Sequence, residues 1–75
     1  MSPRTPRLTA RQVERVLRRS GFALVSQRGS HRKWRHPQRH RQVVVPDHGG
    51  RPLPIGTLRS IMAGADLPDE RWDTQ

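Results

Sequence analysis

The sequence predicts a small α+β domain, a three-stranded antiparallel sheet with two helices on one face, in the order α-β-β-β-α. Three observations carry this expectation. Two segments space their apolar or small residues at i, i+3, i+4 and i+7: Val13, Val16, Leu17 and Ser20, then Leu58, Ile61, Met62 and Ala65. Between them lie three short strand-like runs joined by brief connections, which favours a meander. A chain of 75 residues that is 31% hydrophobic can bury only one modest core, so both helices must share one sheet face and leave the other open.

Residues 1–7 hold Pro3 and Pro6 and are expected to form a loose tail ahead of a single domain spanning 8–75. The first helix begins with clear punctuation. Thr9 is a good N-cap, Gln12 three residues later completes a capping box, and Leu8 can pack on Val13 as a hydrophobic staple. Arg11, Arg15, Arg18 and Arg19 mark its polar side, and Gly21 is the natural residue to end it. Phe22 to Gln27 reads as a first strand, with Gly29 permitting a tight turn. His31 to His36 reads as a second and Gln42 to Pro46 as a third, centred on three valines. The second helix is expected over about 54–64, with Pro54 in its first turn, and Leu67 to Trp72 as a short terminal turn whose Trp72 packs back on the core.

Alternation along the second strand has a consequence for chemistry. Arg32, Trp34 and His36 fall on one side, and His31, Lys33 and Arg35 on the other. With Trp34 as core anchor, His31 belongs to the open face. A bulge near Gly29 would spoil that register.

Charge sharpens this picture. There are fifteen Lys and Arg against six acids, and the excess is uneven. Residues 1–46 balance to +11 with Glu14 their only acid, whereas residues 47–75 balance to −2. The positive field of the first two-thirds is the footprint of a polyanion partner. The hairpin from Gln27 to Arg41 carries Arg28, Arg32, Lys33, Arg35, Arg39 and Arg41 and no acid. Inside it stands Gly29-Ser30-His31. Histidine moves protons near neutral pH, and a proton-transfer group in a field that attracts phosphate suggests chemistry on RNA.

The absence of cysteine excludes a disulfide framework and thiolate metal ligation. The sequence shows neither a signal peptide nor a membrane span, so a cytoplasmic location is the expectation. His36 and His40 are four apart, but Pro37 makes this a turn, and no carboxylate lies nearby to complete a site. Neither a metal nor a small-molecule cofactor is expected.

These residues also carry a family pattern. Gly21-Phe22, Gln27-Arg28-Gly29-Ser30-His31, Arg35-His36-Pro37, Val45-Pro46-Asp47-His48 and Gly56-Thr57-Leu58-Arg59-Ser60-Ile61 recur in that order over about residues 9–72. In them the chain resembles the HicA-type toxins, small ribonucleases (mRNA interferases) of bacterial and archaeal toxin–antitoxin pairs. The resemblance implies a fold like that of double-stranded-RNA-binding domains. It also implies a metal-independent cut in mRNA that depends on the motif histidine, here His31, and a HicB-type antitoxin that shields it. Two positions depart from the pattern. Arg32 and Lys33 follow the histidine where apolar residues or histidine are common, which adds phosphate attraction. Pro52 and Pro54 stand where lysines are usual, which removes charge near the second helix.

The residues assigned to a site follow from both readings. His31 is the catalytic candidate, as general base or acid. Gly29 and Ser30 support its loop, and Arg28, Lys33, Arg35 and Arg32 are the candidates to bind RNA phosphate. His48 stands as a second proton carrier in reserve, and Gly56 and Thr57, in the first turn of the second helix, as an anion contact. Trp34 and Trp72 offer rings for base stacking, although core packing suits them better. Two other functions fit the charge equally well, a non-catalytic RNA-binding module and a DNA-binding accessory protein, because phosphate attraction is blind to the sugar.

Overall fold

The computed structural model describes residues 7–73; residues 1–6 of the expected tail lie outside them. The chain runs α1 (Ala10–Arg19), β1 (Ala23–Arg28), β2 (His31–His36), β3 (Arg41–Pro46), α2 (Ile55–Ala65) and a 3-10 turn (Asp69–Trp72). The strands form one antiparallel sheet in the order β1-β2-β3, so the α-β-β-β-α expectation holds.

Helix α1 begins as its local sequence dictates. The Thr9 hydroxyl accepts from the Gln12 amide at 3.2 Å, while the Gln12 side chain accepts from the Thr9 amide at 2.9 Å. This reciprocal pair satisfies two donors that a helix start otherwise leaves open. Leu8 and Val13 are both buried, as a staple requires. The helix ends in a Schellman motif. Phe22 N–H donates to the Leu17 carbonyl and Gly21 N–H to the Arg18 carbonyl, with Gly21 at φ +96°. Phe22 is thereby drawn into the helix terminus, and β1 starts one residue later than expected. Its ring packs edge-on against His36 at 5.3 Å.

Strand β2 is central and has the predicted bounds. Its Trp34 is fully buried, with Val43 and Val45 of β3 turned the same way. Onto this face fold Val13, Val16 and Leu17 of α1 and Leu58, Ile61 and Ala65 of α2. Trp72 closes the core from the 3-10 turn, 1% exposed, as the sequence suggested. Pro54 sits at the N-cap of α2 rather than within its first turn. The segment ahead of α2 is held to the segment ahead of α1, because Leu53 N–H donates to the Leu8 carbonyl at 2.7 Å and Thr9 bridges Pro52.

The other sheet face has no helix on it. All of β1 is exposed, and Val44 of β3 points outward at 43% exposure. The one irregularity is a bulge between Leu24 and Ser26, placing Val25 as the extra residue. It lies away from Gly29, so Arg28 still pairs with His31. No helix among the described residues is long and apolar enough to cross a membrane.

Gly21 carries two constraints at once. Its φ is left-handed, and a Cβ built there would lie 2.7 Å from His36 Nε2. Gly21→Ala should therefore cost about 1–3 kcal/mol, read as a lowered urea midpoint at unchanged m-value.

Candidate nucleic-acid interface

The open face is organised in rows by strand pairing. Arg28, His31 and Pro46 form one row, Ser26, Lys33 and Val44 the next, and Ala23, Arg35 and Gln42 the third. Residues opposite one another in an antiparallel pair share a face. His31, Lys33 and Arg35 thus project together, and Arg28 joins them from the neighbouring strand. Ser26, Gln27, Arg28, His31, Lys33 and Val44 line a cleft of about 650 Å³. No carboxylate lines it, and none of Arg28, Lys33 and Arg35 enters an ion pair among the described residues.

The turn that presents His31 is tightly determined. Gly29 adopts φ +59°, a conformation open to glycine at little cost. Its carbonyl accepts from the Gln27 side chain at 3.3 Å. The Ser30 carbonyl accepts from the Asp47 amide at 2.7 Å, tying the hairpin tip to the chain leaving β3. Gly29 and Ser30 thereby set the start of β2, and His31 is its first residue, exposed beside the cleft. Chemically this is an imidazole open to solvent among unpaired cations, an arrangement that attracts a polyanion and can exchange a proton with it.

The remaining candidates are sorted by the fold. Arg32 points to the helix-covered face, where its Nη1 donates to Glu14 Oε1 at 3.0 Å; it does not join the His31 cleft. His48 is half-buried in the loop after β3, and neither it nor Gly56 and Thr57 lines that cleft. His36 is buried, and its Nδ1 accepts from the amides of Gln38 and Arg39 at 3.3 Å each, so it caps the β2–β3 turn. Trp34 and Trp72, 2% and 1% exposed, are withdrawn from base stacking.

Glu14 is the residue whose role sequence reasoning missed. Besides holding Arg32, its Oε2 accepts from the Trp34 indole N–H at 2.8 Å, across a separation of twenty residues. The Arg18 guanidinium lies 5.3 Å from the centre of the Trp34 rings, completing a cation–π contact. A signal was present, since Glu14 is the single acid among the first 46 residues.

Fold and site together define a compact α+β domain that offers a cationic, histidine-bearing sheet face. Comparison with protein families then gives the kinship: residues 10–67 match the family described as HicA toxin of bacterial toxin-antitoxin. The chain belongs to the HicA toxin family and is a toxin of the toxin–antitoxin class, with an antitoxin as its partner. A search of curated proteins finds no match.

Two stability outcomes follow from this geometry. Glu14→Ala strands the buried indole N–H without its acceptor and should cost about 1–3 kcal/mol in urea titrations. His31→Ala, at an exposed position, should stay within about 0.5 kcal/mol of the parent, so a functional loss in that variant can be read as chemistry.

Proposed function

We propose that this toxin is a metal-independent endoribonuclease acting on mRNA, that His31 is its proton-transfer residue, and that a HicB-type antitoxin restrains it. The observation that carries this reading is the exposed His31 beside a carboxylate-free cleft bearing Arg28 and Lys33. RNA contains its own nucleophile. As the bond from O2′ to phosphorus forms and the bond from phosphorus to O5′ breaks, the 2′-hydroxyl loses a proton and the departing 5′-oxygen gains one. The products are a 2′,3′-cyclic phosphate and a 5′-hydroxyl. His31 performs one of these transfers as general base or acid, worth about 10²–10⁴-fold. Arg28, Lys33 and Arg35 hold the phosphate and oppose the charge that grows on its oxygens. Gly29 and Ser30 keep the imidazole at the hairpin tip. The antitoxin covers the His31 face and offers acidic groups to the same cations, which speeds association. The setting is the cytoplasm, where mRNA is met.

The test pairs wild type with His31→Ala. Wild type should cut RNA in EDTA, leave DNA of the same sequence intact and arrest growth on induction with loss of total RNA integrity. His31→Ala should cut about 10²–10⁴-fold more slowly while still shifting RNA in a gel. Undiminished cleavage by that variant would refute the assignment. A wild type that shifts RNA without ever shortening it would make the protein a binding module instead.

A further inference from the structure

The arginines of α1 are not needed on the His31 face, yet they are not scattered. Arg11, Arg15, Arg18 and Arg32 surround a second cleft, of about 500 Å³, on the helix side of the sheet. At its base Glu14 joins Arg32 to the Trp34 indole. That carboxylate is the one acid lining the cleft, and Arg32 engages it. Arg11, Arg15 and Arg18 are exposed and enter no ion pair among the described residues; Arg18 rests over the Trp34 ring, and Arg11 and Arg15 remain directed at solvent around the concavity. Leu24 of β1 forms the opposite wall and is 45% exposed.

Leu24 is the link between the two sites. It lines the α1 cleft, while Ser26, the next residue but one, lines the His31 cleft. Two residues of strand span only about 7 Å, and the Val25 bulge lies between them on an edge strand. The two clefts therefore lie back to back across the thickness of one exposed strand. Beyond Arg11 the groove reaches Asp47 and the turn at Gly49, where an acid ends its attraction for phosphate.

We infer that the α1 cleft is a second RNA site, which binds the phosphates of the same single strand whose scissile linkage lies at His31, with the strand passing over the β1 edge at Val25. This deepens the ribonuclease reading and rests on it for the occupant of the sheet face. Cations on both sides of an uncovered edge suit one continuous polyanion. A duplex is stiff over this distance and cannot fold around the edge of a strand, whereas a single strand can. The guanidinium groups supply forked donors to successive phosphates, and Leu24 offers an apolar rest for a base between them.

The experiment measures binding of fluorescein-labelled oligouridylates of about four and about twelve nucleotides, the range over which single-strand sites extend, to full-length protein carrying His31→Ala. The longer RNA should bind more tightly than the shorter. Adding Arg11→Gln and Arg15→Gln should remove that gain, weaken the longer RNA about tenfold and flatten its salt dependence by about one to two units of log–log slope. Arg11→Lys with Arg15→Lys should keep the salt slope, because the charges remain. In NMR spectra the Trp34 indole N–H should move on adding the longer RNA and stay still with the shorter.

A length gain and salt slope that survive the glutamine pair would overturn the inference. So would unchanged RNA binding beside weakened binding of polyglutamate, which would give the cleft to an acidic protein. The two proposals fail separately. Wild type that cuts RNA while the glutamine pair retains the length gain sinks the second site alone. Wild type that never cuts RNA, with a length gain that depends on Arg11 and Arg15, sinks the catalytic reading and leaves the second site standing.

Discussion

The burial of Trp34, fastened by its indole hydrogen bond to Glu14, sets the phase of the central strand. Trp34 is one of two tryptophans in the core, and its one polar atom finds its acceptor on α1 at 2.8 Å. Burial alone would hold the ring on the helix side; the carboxylate also fixes which edge of the ring meets α1. Side chains in a strand alternate, so a residue three positions from Trp34 must face the other way. His31 is that residue. A slip of one position would carry His31, Lys33 and Arg35 under the helices and expose Trp34. The chemistry proposed for the open face therefore depends on a contact made on the covered one.

The few acids of this chain determine where its positive charge acts. Glu14 neutralises Arg32, and Asp66 at the end of α2 meets Arg39 and Arg41 of the β2–β3 region at 3.5 and 3.3 Å. Exposed pairs of the latter kind add little stability. Their effect is to localise charge, drawing the far end of the hairpin toward α2. Among the cations that enter no ion pair with the described residues, Arg28 and Lys33 lie near the hairpin tip and Arg11 and Arg15 along α1. Part of the net charge of +9 thus faces two clefts, one on each side of β1.

Much of the fold was legible because its signals are local. The capping box of Thr9 and Gln12 and the terminating role of Gly21 depend on neighbours a few residues apart. The bounds of β2 followed from the flanking Gly29 and Pro37. The errors were local too. Phe22 looked like strand because it is aromatic, but the Schellman motif takes its amide for the Leu17 carbonyl. Pro54 is expected in the first turn of α2, where its missing N–H costs nothing, but it sits one position earlier, at the N-cap. For the candidate site, the alternation of β2 placed His31, Lys33 and Arg35 together. The same alternation put Arg32 on the other side, although its charge alone made it resemble its neighbours.

The sequence by itself determined the order of elements, the opposite orientations of His31 and Trp34, and the concentration of positive charge in the first two-thirds of the chain. Each depends on periodicity, composition or short-range capping, which are properties of the chain before it folds. The tertiary structure decided which arginines are engaged and which are exposed, where the bulge falls, and that two basic clefts meet across one strand. Those outcomes require residues far apart in sequence to meet, as Glu14 meets Trp34 and Asp66 meets Arg39. Such meetings depend on how the helices pack on the sheet, which no local pattern encodes.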